Sequence, residues 1–298
     1  MMQYVKIAHF YLLTEILNFS IMRVRNRFHH KRRNEMELLS VSQKDEVAFV
    51  TFENMKEFNT LTLQLIEELD TLLQDIAANR EVKVVVLQGS AKAFSAGHSL
   101  REIHESNQQE VHHLFRTCYN LMRTVREIPQ VVVAKVRGVA VAAGTQVVAI
   151  CDLAIASDDA RFAVPGINSG LFCSTPGVFL SRNIGRKKAA ELLFTGNLMP
   201  ADDALQHGLV NKVVPSEQLD EATDELLADI TKQSLNIIGL GKRMFYEQLQ
   251  MNDFDALSYA TEIISANTKH PDAIEGINAF FEKRTPNWPD ETVKATIE

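Results

Sequence analysis

Two short apolar runs rich in valine, at residues 82–87 and 131–136, constrain the fold of this chain most. Each is too short for a core helix, and a run without regular polar alternation is typical of a strand covered on both faces. Residues 47–52 alternate like a half-buried strand, and residues 61–76 carry apolar side chains at helical spacing. Strands that recur with helices between them predict an α/β core.

The second half of the chain is predominantly helical by the same criterion. A helix over 112–128 and a short strand over 153–156 complete the first half, and one strand at 210–214 interrupts the second. The helices predicted after Ser174 are 187–194, 200–207, 217–233, 236–249, 253–267 and 272–283. We therefore divide the chain into a basic N-terminal extension (1–35), an α/β core (36–195) and a helical C-terminal region (196–298).

Charge separates the N-terminal extension from the rest. The whole chain carries −7 and residues 1–35 carry +5, which leaves −12 for residues 36–298. An acidic body argues against nucleic-acid binding. The apolar stretch in the extension is too short and too interrupted to span a bilayer, and its basic run follows it, unlike a secretory signal. We expect no membrane insertion, and an extension that is dispensable, a targeting segment or a partner-binding arm.

The three cysteines, an odd number without a Cys-x-x-Cys pair, indicate a reducing compartment and no structural zinc site. The histidine pairs lack partners at metal-ligand spacing, so no metal is predicted. We expect a cytoplasmic protein. The mitochondrial matrix is the alternative, because the extension is rich in arginine and poor in acidic residues.

Two loops of small residues join a buried strand to a helix. The first is Lys92-Ala-Phe-Ser-Ala-Gly-His-Ser-Leu, and the second is Gly138-Val-Ala-Val-Ala-Ala-Gly-Thr-Gln. Small residues let a ligand approach the main chain, and a helix N-terminus leaves N–H groups unpaired. Two such loops side by side can aim two N–H donors at one oxygen, which would form an oxyanion hole. Each loop alone more often reflects close packing.

The two loops, with other segments in the same order, resemble the crotonase (enoyl-CoA hydratase/isomerase) superfamily across about residues 38–290. The matching segments are 56–61, 93–100, 136–144, 151–156, 194–196, 207–215 and 280–286. This resemblance implies a crotonase-like ββα spiral core with a helical C-terminal trimerisation region. It also implies a homotrimer or hexamer, an acyl-CoA as partner, and no cofactor apart from the coenzyme A thioester that serves as substrate or ligand.

The resemblance assigns the two N–H donors to His98 and Ala143. It also implies two catalytic glutamates, but Gln146 and Gly166 stand at their positions. Glutamine cannot exchange a proton at neutral pH, and glycine has no side chain. His98 is a candidate replacement acid or base. A nucleophilic Cys173 would need a neighbouring base that the sequence does not show.

Residues for coenzyme A follow from the resemblance as well. Lys56, Ala96 and Arg101 correspond to positions near the first loop and the nucleotide end of coenzyme A. Phe280 and Lys283 correspond to a C-terminal helix that reaches a phosphate, commonly from a neighbouring subunit. Each cation alone is more often an ordinary surface residue, but an acidic protein needs convergent cations to hold a phosphorylated ligand.

Two classes of function remain open. The first is an acyl-CoA enzyme, nominally an enoyl-CoA hydratase/isomerase of fatty-acid metabolism, that works with an oxyanion hole but without the usual glutamate pair. The second is a catalytically silent acyl-CoA-binding protein or a regulatory subunit that assembles with active relatives. Gln146 and Gly166 favour the second, whereas the retained loops favour the first.

Overall fold

The computed structural model describes residues 36–90 and 92–288, and the chain divides into the units Met1–Glu37 and Leu38–Glu298. The predicted extension, residues 1–35, lies outside the described residues. All elements below belong to the second unit. Within the described ranges, no helix is long and apolar enough to cross a membrane.

In the described part of the chain, six strands form a large sheet in the order β1-β2-β3-β5-β7-β10. They are β1 (Leu39–Lys44), β2 (Val47–Phe52), β3 (Val84–Gln88), β5 (Val131–Val136), β7 (Leu153–Ser157) and β10 (Lys212–Val214). β1 and β2 pair antiparallel, and the other neighbours pair parallel. The two valine-rich runs thus supply β3 and β5 in the middle of the sheet.

A second, smaller sheet contains four short strands within the same described residues, in the order β4-β6-β8-β9. They are β4 (Ala93–Ser95), β6 (Val139–Val141), β8 (Arg161–Ala163) and β9 (Met199–Pro200). β4, β6 and β8 each follow a strand of the large sheet, so that successive turns of the chain add one strand to each sheet. This repeated ββα path is the predicted spiral.

Helices cover the sheets and form most of the C-terminal region. They are α1 (Leu63–Ala77), α2 (Leu100–Glu105), α3 (Gln108–Glu127), α4 (Ala143–Ile150), α5 (Ser174–Asn183), α6 (Arg186–Thr195), α7 (Ala201–His207), α8 (Leu219–Thr231), α9 (Leu235–Gln248), α10 (Asp253–Asn267) and α11 (Pro271–Glu282). Short 3-10 helices lie at Met55–Glu57, Pro165–Ser169 and Ser216–Gln218.

Helix α3 begins four residues before its predicted start because a capping box fixes its N-terminus. The Asn107 side chain accepts hydrogen bonds from the N–H groups of Gln109 and Glu110, and the Glu110 carboxylate accepts one from Asn107 N–H. The first turn is polar and exposed, so apolar spacing does not reveal it.

Buried side chains cover both faces of the large sheet, which explains the runs without polar alternation. One face packs against α8, where Leu219, Ala222 and Leu227 join a cluster with Val84 and Val133. Buried residues of α1 and α3, which pack against each other, complete the core. The strand predicted at 210–214 is confirmed as β10, which pairs with β7 at the edge of this sheet.

Candidate active site

The two predicted loops lie in direct contact. β4 and β6, which precede their small residues, pair in parallel, with Ala93 opposite Val139. A Cβ built on Gly97 would lie 2.9 Å from Ala143 N, and one on Gly144 would lie 2.2 Å from the Ser95 carbonyl oxygen. Only glycine allows main chains to approach this closely, and Gly97 also has a φ of +82°. Gly97 and Gly144 therefore allow the main chains of the two loops to lie in contact.

Ala142 gives the second loop an unusual backbone geometry. Its φ of 50° and ψ of −114° lie outside the regions that an L-residue favours, and it precedes the first residue of α4. Its N–H donates to the Ala163 carbonyl at 2.8 Å, and Thr145 Oγ1 donates to the carbonyls of Ala140 and Ala163. These bonds hold the strained turn, which sets the direction of the N–H groups at the start of α4.

The N–H groups of His98 and Ala143 donate no hydrogen bond within residues 36–90 and 92–288. Ala143 is the first residue of its helix, where an N–H has no partner in the preceding turn. In the first loop, the Gly97 carbonyl accepts from Leu61 N–H at 2.8 Å, and Ala96 N–H donates to the Phe58 carbonyl at 2.9 Å. Two unpaired N–H donors thus lie on two touching loops, an arrangement that can stabilise one oxyanion.

The imidazole of His98 is fixed in a single tautomer. Its Nδ1 lies 3.1 Å from the Leu61 carbonyl, which can only accept, so Nδ1 carries the proton when the ring is neutral. Its Nε2 is buried and has no partner among the described residues. The ring meets Phe115 of α3 edge-to-face at 5.0 Å. Burial lowers the pKa of His98, and the hydrogen bond to Leu61 opposes this in part. The neutral ring therefore offers a free lone pair at Nε2.

Gln146 lies on the same face of α4 as Ala143, three residues further along the helix. Its side chain is 2% exposed, and its amide oxygen has no hydrogen-bond partner within the described ranges. A buried amide without a partner is costly, which points to a ligand or a water molecule at this position.

The structure leaves no room for a side chain at Gly166. A Cβ there would lie 2.6 Å from the Leu171 carbonyl oxygen and 2.8 Å from Cys173 Sγ. Burial raises the pKa of the Cys173 thiol, and a hydrogen bond from the Gly166 main chain opposes this only in part. Cys173 therefore stays protonated and has little nucleophilic character. Its sulfur occupies the space into which a residue-166 side chain would extend.

The residues predicted for coenzyme A fall into two groups. Lys56, Ala96 and Arg101 lie on or beside the first loop, and both cations are exposed. Phe280 and Lys283 are exposed at the C-terminal end of α11, which packs against α9. Among the described residues, no three His, Cys, Asp or Glu side chains are grouped to hold a metal ion.

A cavity of about 1340 Å³ extends from Gln146 along α4 and between α3, α5 and α9. Phe115, whose ring meets His98, also lines it. Its other end contains a buried polar group that sequence reasoning did not identify as part of the site. There Asp152 accepts hydrogen bonds from Lys242 and Tyr246, at 2.6 and 2.7 Å. These residues are brought together from distant parts of the chain, so no local motif marks them.

The sequence matches known proteins over most of its length. The family profile described as enoyl-CoA hydratase/isomerase covers residues 42–291. The mitochondrial enoyl-CoA hydratase domain-containing protein 3 of Rattus norvegicus is 40% identical over 256 residues, which are 86% of this chain and 85% of the rat protein. The loop at residues 170–177 resembles this protein and predicts a relationship to it. The 40% identity over most of both chains confirms that prediction. A short-chain-enoyl-CoA hydratase of Clostridium acetobutylicum is 31% identical over 84% of this chain and 97% of its own length.

Solved structures agree with the sequence comparison. The crystal structure of human enoyl Coenzyme A hydratase domain-containing protein 3 superposes with a TM-score of 0.82 at 40% identity, covering 84% of this chain and all of the human one. An enoyl-CoA hydratase of Mycobacterium smegmatis gives a TM-score of 0.82 at 42% identity over 84% of this chain and 98% of its own. The predicted crotonase fold is confirmed, and the chain belongs to the enoyl-CoA hydratase/isomerase family.

Proposed function

We propose that this chain binds an acyl-CoA thioester and polarises its carbonyl with the N–H groups of His98 and Ala143. The observation that carries the proposal is the pair of unpaired N–H donors on two loops in contact. Bonds to a thioester oxygen stabilise the enolate-like charge that develops in reactions of this family. Loss of one such donor typically raises the barrier by about 3–4 kcal/mol.

The reaction class is that of an enoyl-CoA hydratase/isomerase without the usual glutamate pair. His98 can accept a proton at Nε2, which is buried and has no hydrogen-bond partner within the described ranges. The Gln146 amide can hold a water molecule or a ligand oxygen but cannot exchange a proton. Proton transfer therefore falls to His98 and to water.

A catalytically silent acyl-CoA-binding or regulatory subunit is the second candidate. The observation that favours it is the closed space at Gly166, where a catalytic carboxylate would clash with Leu171 and Cys173. The side chain at Gln146 is likewise unable to act as an acid or a base. A protein of this kind would keep the carbonyl site and bind thioesters without turnover.

Hydration of crotonyl-CoA by the purified protein, together with its binding affinity, separates the two candidates. Turnover that His98→Gln abolishes would establish the enzyme with His98 as its base. Tight binding without turnover would support the silent binder, or an enzyme for another acyl-CoA, and it is the result we expect for crotonyl-CoA. Absence of binding would contradict both.

Coenzyme A is assigned to the residues around the first loop and to α11. Lys56, Ala96 and Arg101 would hold the nucleotide part, and Phe280 and Lys283 would reach it from a neighbouring subunit. The support is that all of these side chains except Ala96 are exposed, and that the family profile covers the residues 42–291 in which they lie. Lys56→Gln and Lys283→Gln should each weaken thioester binding about tenfold without loss of stability.

We also propose location in the mitochondrial matrix, and not in the cytoplasm. The rat, mouse and human relatives carry the word mitochondrial in their names. The arginine-rich extension suits a targeting segment. A fluorescent fusion of the whole chain should enter mitochondria, and a fusion that lacks residues 1–35 should stay outside.

A further inference from the structure

The cavity behind the active site has an apolar middle and a cationic end. Phe115, Cys118 and Met122 line it beyond Gln146. Four arginines line it further on, namely Arg123 and Arg126 of α3, Arg182 of α5 and Arg243 of α9. Such a concentration of arginine stands out in a chain whose residues 36–298 carry a net charge of −12.

Three of these arginines have no carboxylate partner in the described part of the chain. Arg123 pairs with Glu127 at 2.6 Å, and Asp152 is neutralised by Lys242 at 2.6 Å. Glu247 accepts a hydrogen bond from Tyr259. Within residues 36–90 and 92–288, Arg126, Arg182 and Arg243 make no ion pair, although Arg182 donates to the Val178 carbonyl. The cavity end therefore holds more positive than negative charge.

Arg126 is the best placed of the three to receive an anion. Its guanidinium lies 3.6 Å from the centre of the Tyr246 ring, which fixes its plane. Its Nε is buried without a hydrogen-bond partner among the described residues. Burial lowers the pKa of Arg126, whereas Tyr246 and Asp152 oppose that shift. A buried guanidinium nitrogen without an acceptor is unfavourable, and a planar carboxylate is the acceptor that fits its fork of donors.

We infer that this end of the cavity binds a distal carboxylate on the acyl chain, so that the protein selects ω-carboxyacyl-CoA thioesters. The inference rests on the proposed function, which places the thioester carbonyl at His98 and Ala143. The helix α4 rises about 6 Å from Gln146 to Ile150, and Asp152 follows. The cavity runs alongside this part of α4, so acyl chains of medium length are used in the test below. Glu127, Asp152 and Glu247 also line this end, which favours a monoanion over a phosphate dianion.

Calorimetric titration of the purified full chain with decanoyl-CoA and with sebacoyl-CoA, its ω-carboxylate counterpart, tests the inference. We expect sebacoyl-CoA to bind at least about tenfold more tightly, as one charge-assisted bidentate contact allows. Arg126→Met should abolish the preference. Arg243→Gln should reduce it, and because Arg243 is exposed this variant should fold even if the first does not. Arg116→Gln is the matched control, since Arg116 lies on the same helix over Tyr119 and does not line the cavity.

The outcomes separate this inference from the proposed function. Equal affinity for the two thioesters, or a preference that survives both Arg126→Met and Arg243→Gln, would overturn the ω-carboxylate site alone. Failure of both thioesters to bind would overturn the proposed function and the inference with it. A preference that is lost in Arg126→Met, reduced in Arg243→Gln and kept in Arg116→Gln would establish the site.

Discussion

Ala142 holds a backbone conformation that costs free energy in any residue with a Cβ. Its φ of 50° places it where strain of about 1–3 kcal/mol is usual. Gly would relieve this strain and lose about 0.5–1 kcal/mol to unfolded-state entropy. We predict that Ala142→Gly raises the free energy of unfolding by about 1 kcal/mol, measured by urea denaturation. Ala149→Gly, within the helix α4 that follows, should lower the free energy of unfolding by about 1 kcal/mol. Equal losses in both variants would contradict the assigned strain.

His98 should make stability depend on pH. Burial lowers its pKa in the folded state below the ordinary value near 6.5, so the unfolded chain takes up this proton more readily. The contribution is fully present above pH 6.5 and is lost as pH falls from there toward the folded-state pKa, by up to about 1.4 kcal/mol per pH unit. His98→Gln should flatten the curve of unfolding free energy against pH in this window. An unchanged curve would show that the ring is solvated.

Gly166 should tolerate no side chain, so a carboxylate cannot be restored there by simple substitution. The contacts to Leu171 and Cys173 predict that Gly166→Ala costs about 1–3 kcal/mol of unfolding free energy through overpacking. Gly241→Ala is the control. A Cβ there meets no atom within 4 Å among the described residues, and its exposed helical position predicts a gain of about 0.5–1 kcal/mol. An unchanged free energy of unfolding in Gly166→Ala would mean that the 166–173 segment shifts to make room for the added methyl group.

At the scale of elements, a buried ion pair fastens α9 to the large sheet. The side chains of Lys242 and Asp152 are 6% and 12% exposed, and Lys242 Nζ also donates to the carbonyls of Val125 and Gln130. Burial lowers the pKa of Lys242, and Asp152 opposes this. Lys242→Met should lower the free energy of unfolding by about 3–5 kcal/mol because it leaves the buried Asp152 carboxylate without its ion-pair partner. Lys232→Met, at an exposed pair, should cost less than about 0.5 kcal/mol. Similar losses of unfolding free energy in the two lysine variants would contradict the anchoring of α9 by the buried ion pair.

The sequence predicts those elements whose stability comes from a regular apolar pattern. The helix over 253–267 coincides with α10, and the central strands follow the two valine-rich runs. It does not predict β4, β6 and β8, because three-residue strands have no period to read. Helix α5 is missed as well, because Pro176 and Gly177 lower its intrinsic propensity and its burial is slight.

In the candidate site as well, sequence predicts only those features that have a local residue pattern. Local sequence predicts the two loops, since small residues between a buried strand and a helix leave a recognisable signature. It cannot predict the strain at Ala142, the contact of His98 with Phe115 or the blocked space at Gly166. Each of these depends on the three-dimensional path of the main chain, which no local residue pattern encodes.

At the scale of the whole molecule, α10 and α11 leave apolar side chains uncovered. Phe254 is 83% exposed and Phe280 is 78% exposed, with Leu257, Ile264 and Phe281 also exposed on these helices. A surface of this kind usually marks a contact between proteins. We predict a trimer or hexamer by native mass spectrometry, and a smaller mass for Phe254→Asp. A monomeric wild-type protein would contradict this prediction.

The carbonyl stretching frequency of crotonyl-CoA, free and bound, tests the central claim most directly. Two N–H donors, from His98 and Ala143, should withdraw electron density from the thioester oxygen and lower this frequency in the complex. Ala143→Pro removes one N–H donor at the first position of α4, where proline is best tolerated. In this variant the carbonyl frequency of the bound thioester should move part of the way back toward its value in water. A bound thioester whose carbonyl frequency equals that in water would contradict the proposed oxyanion hole.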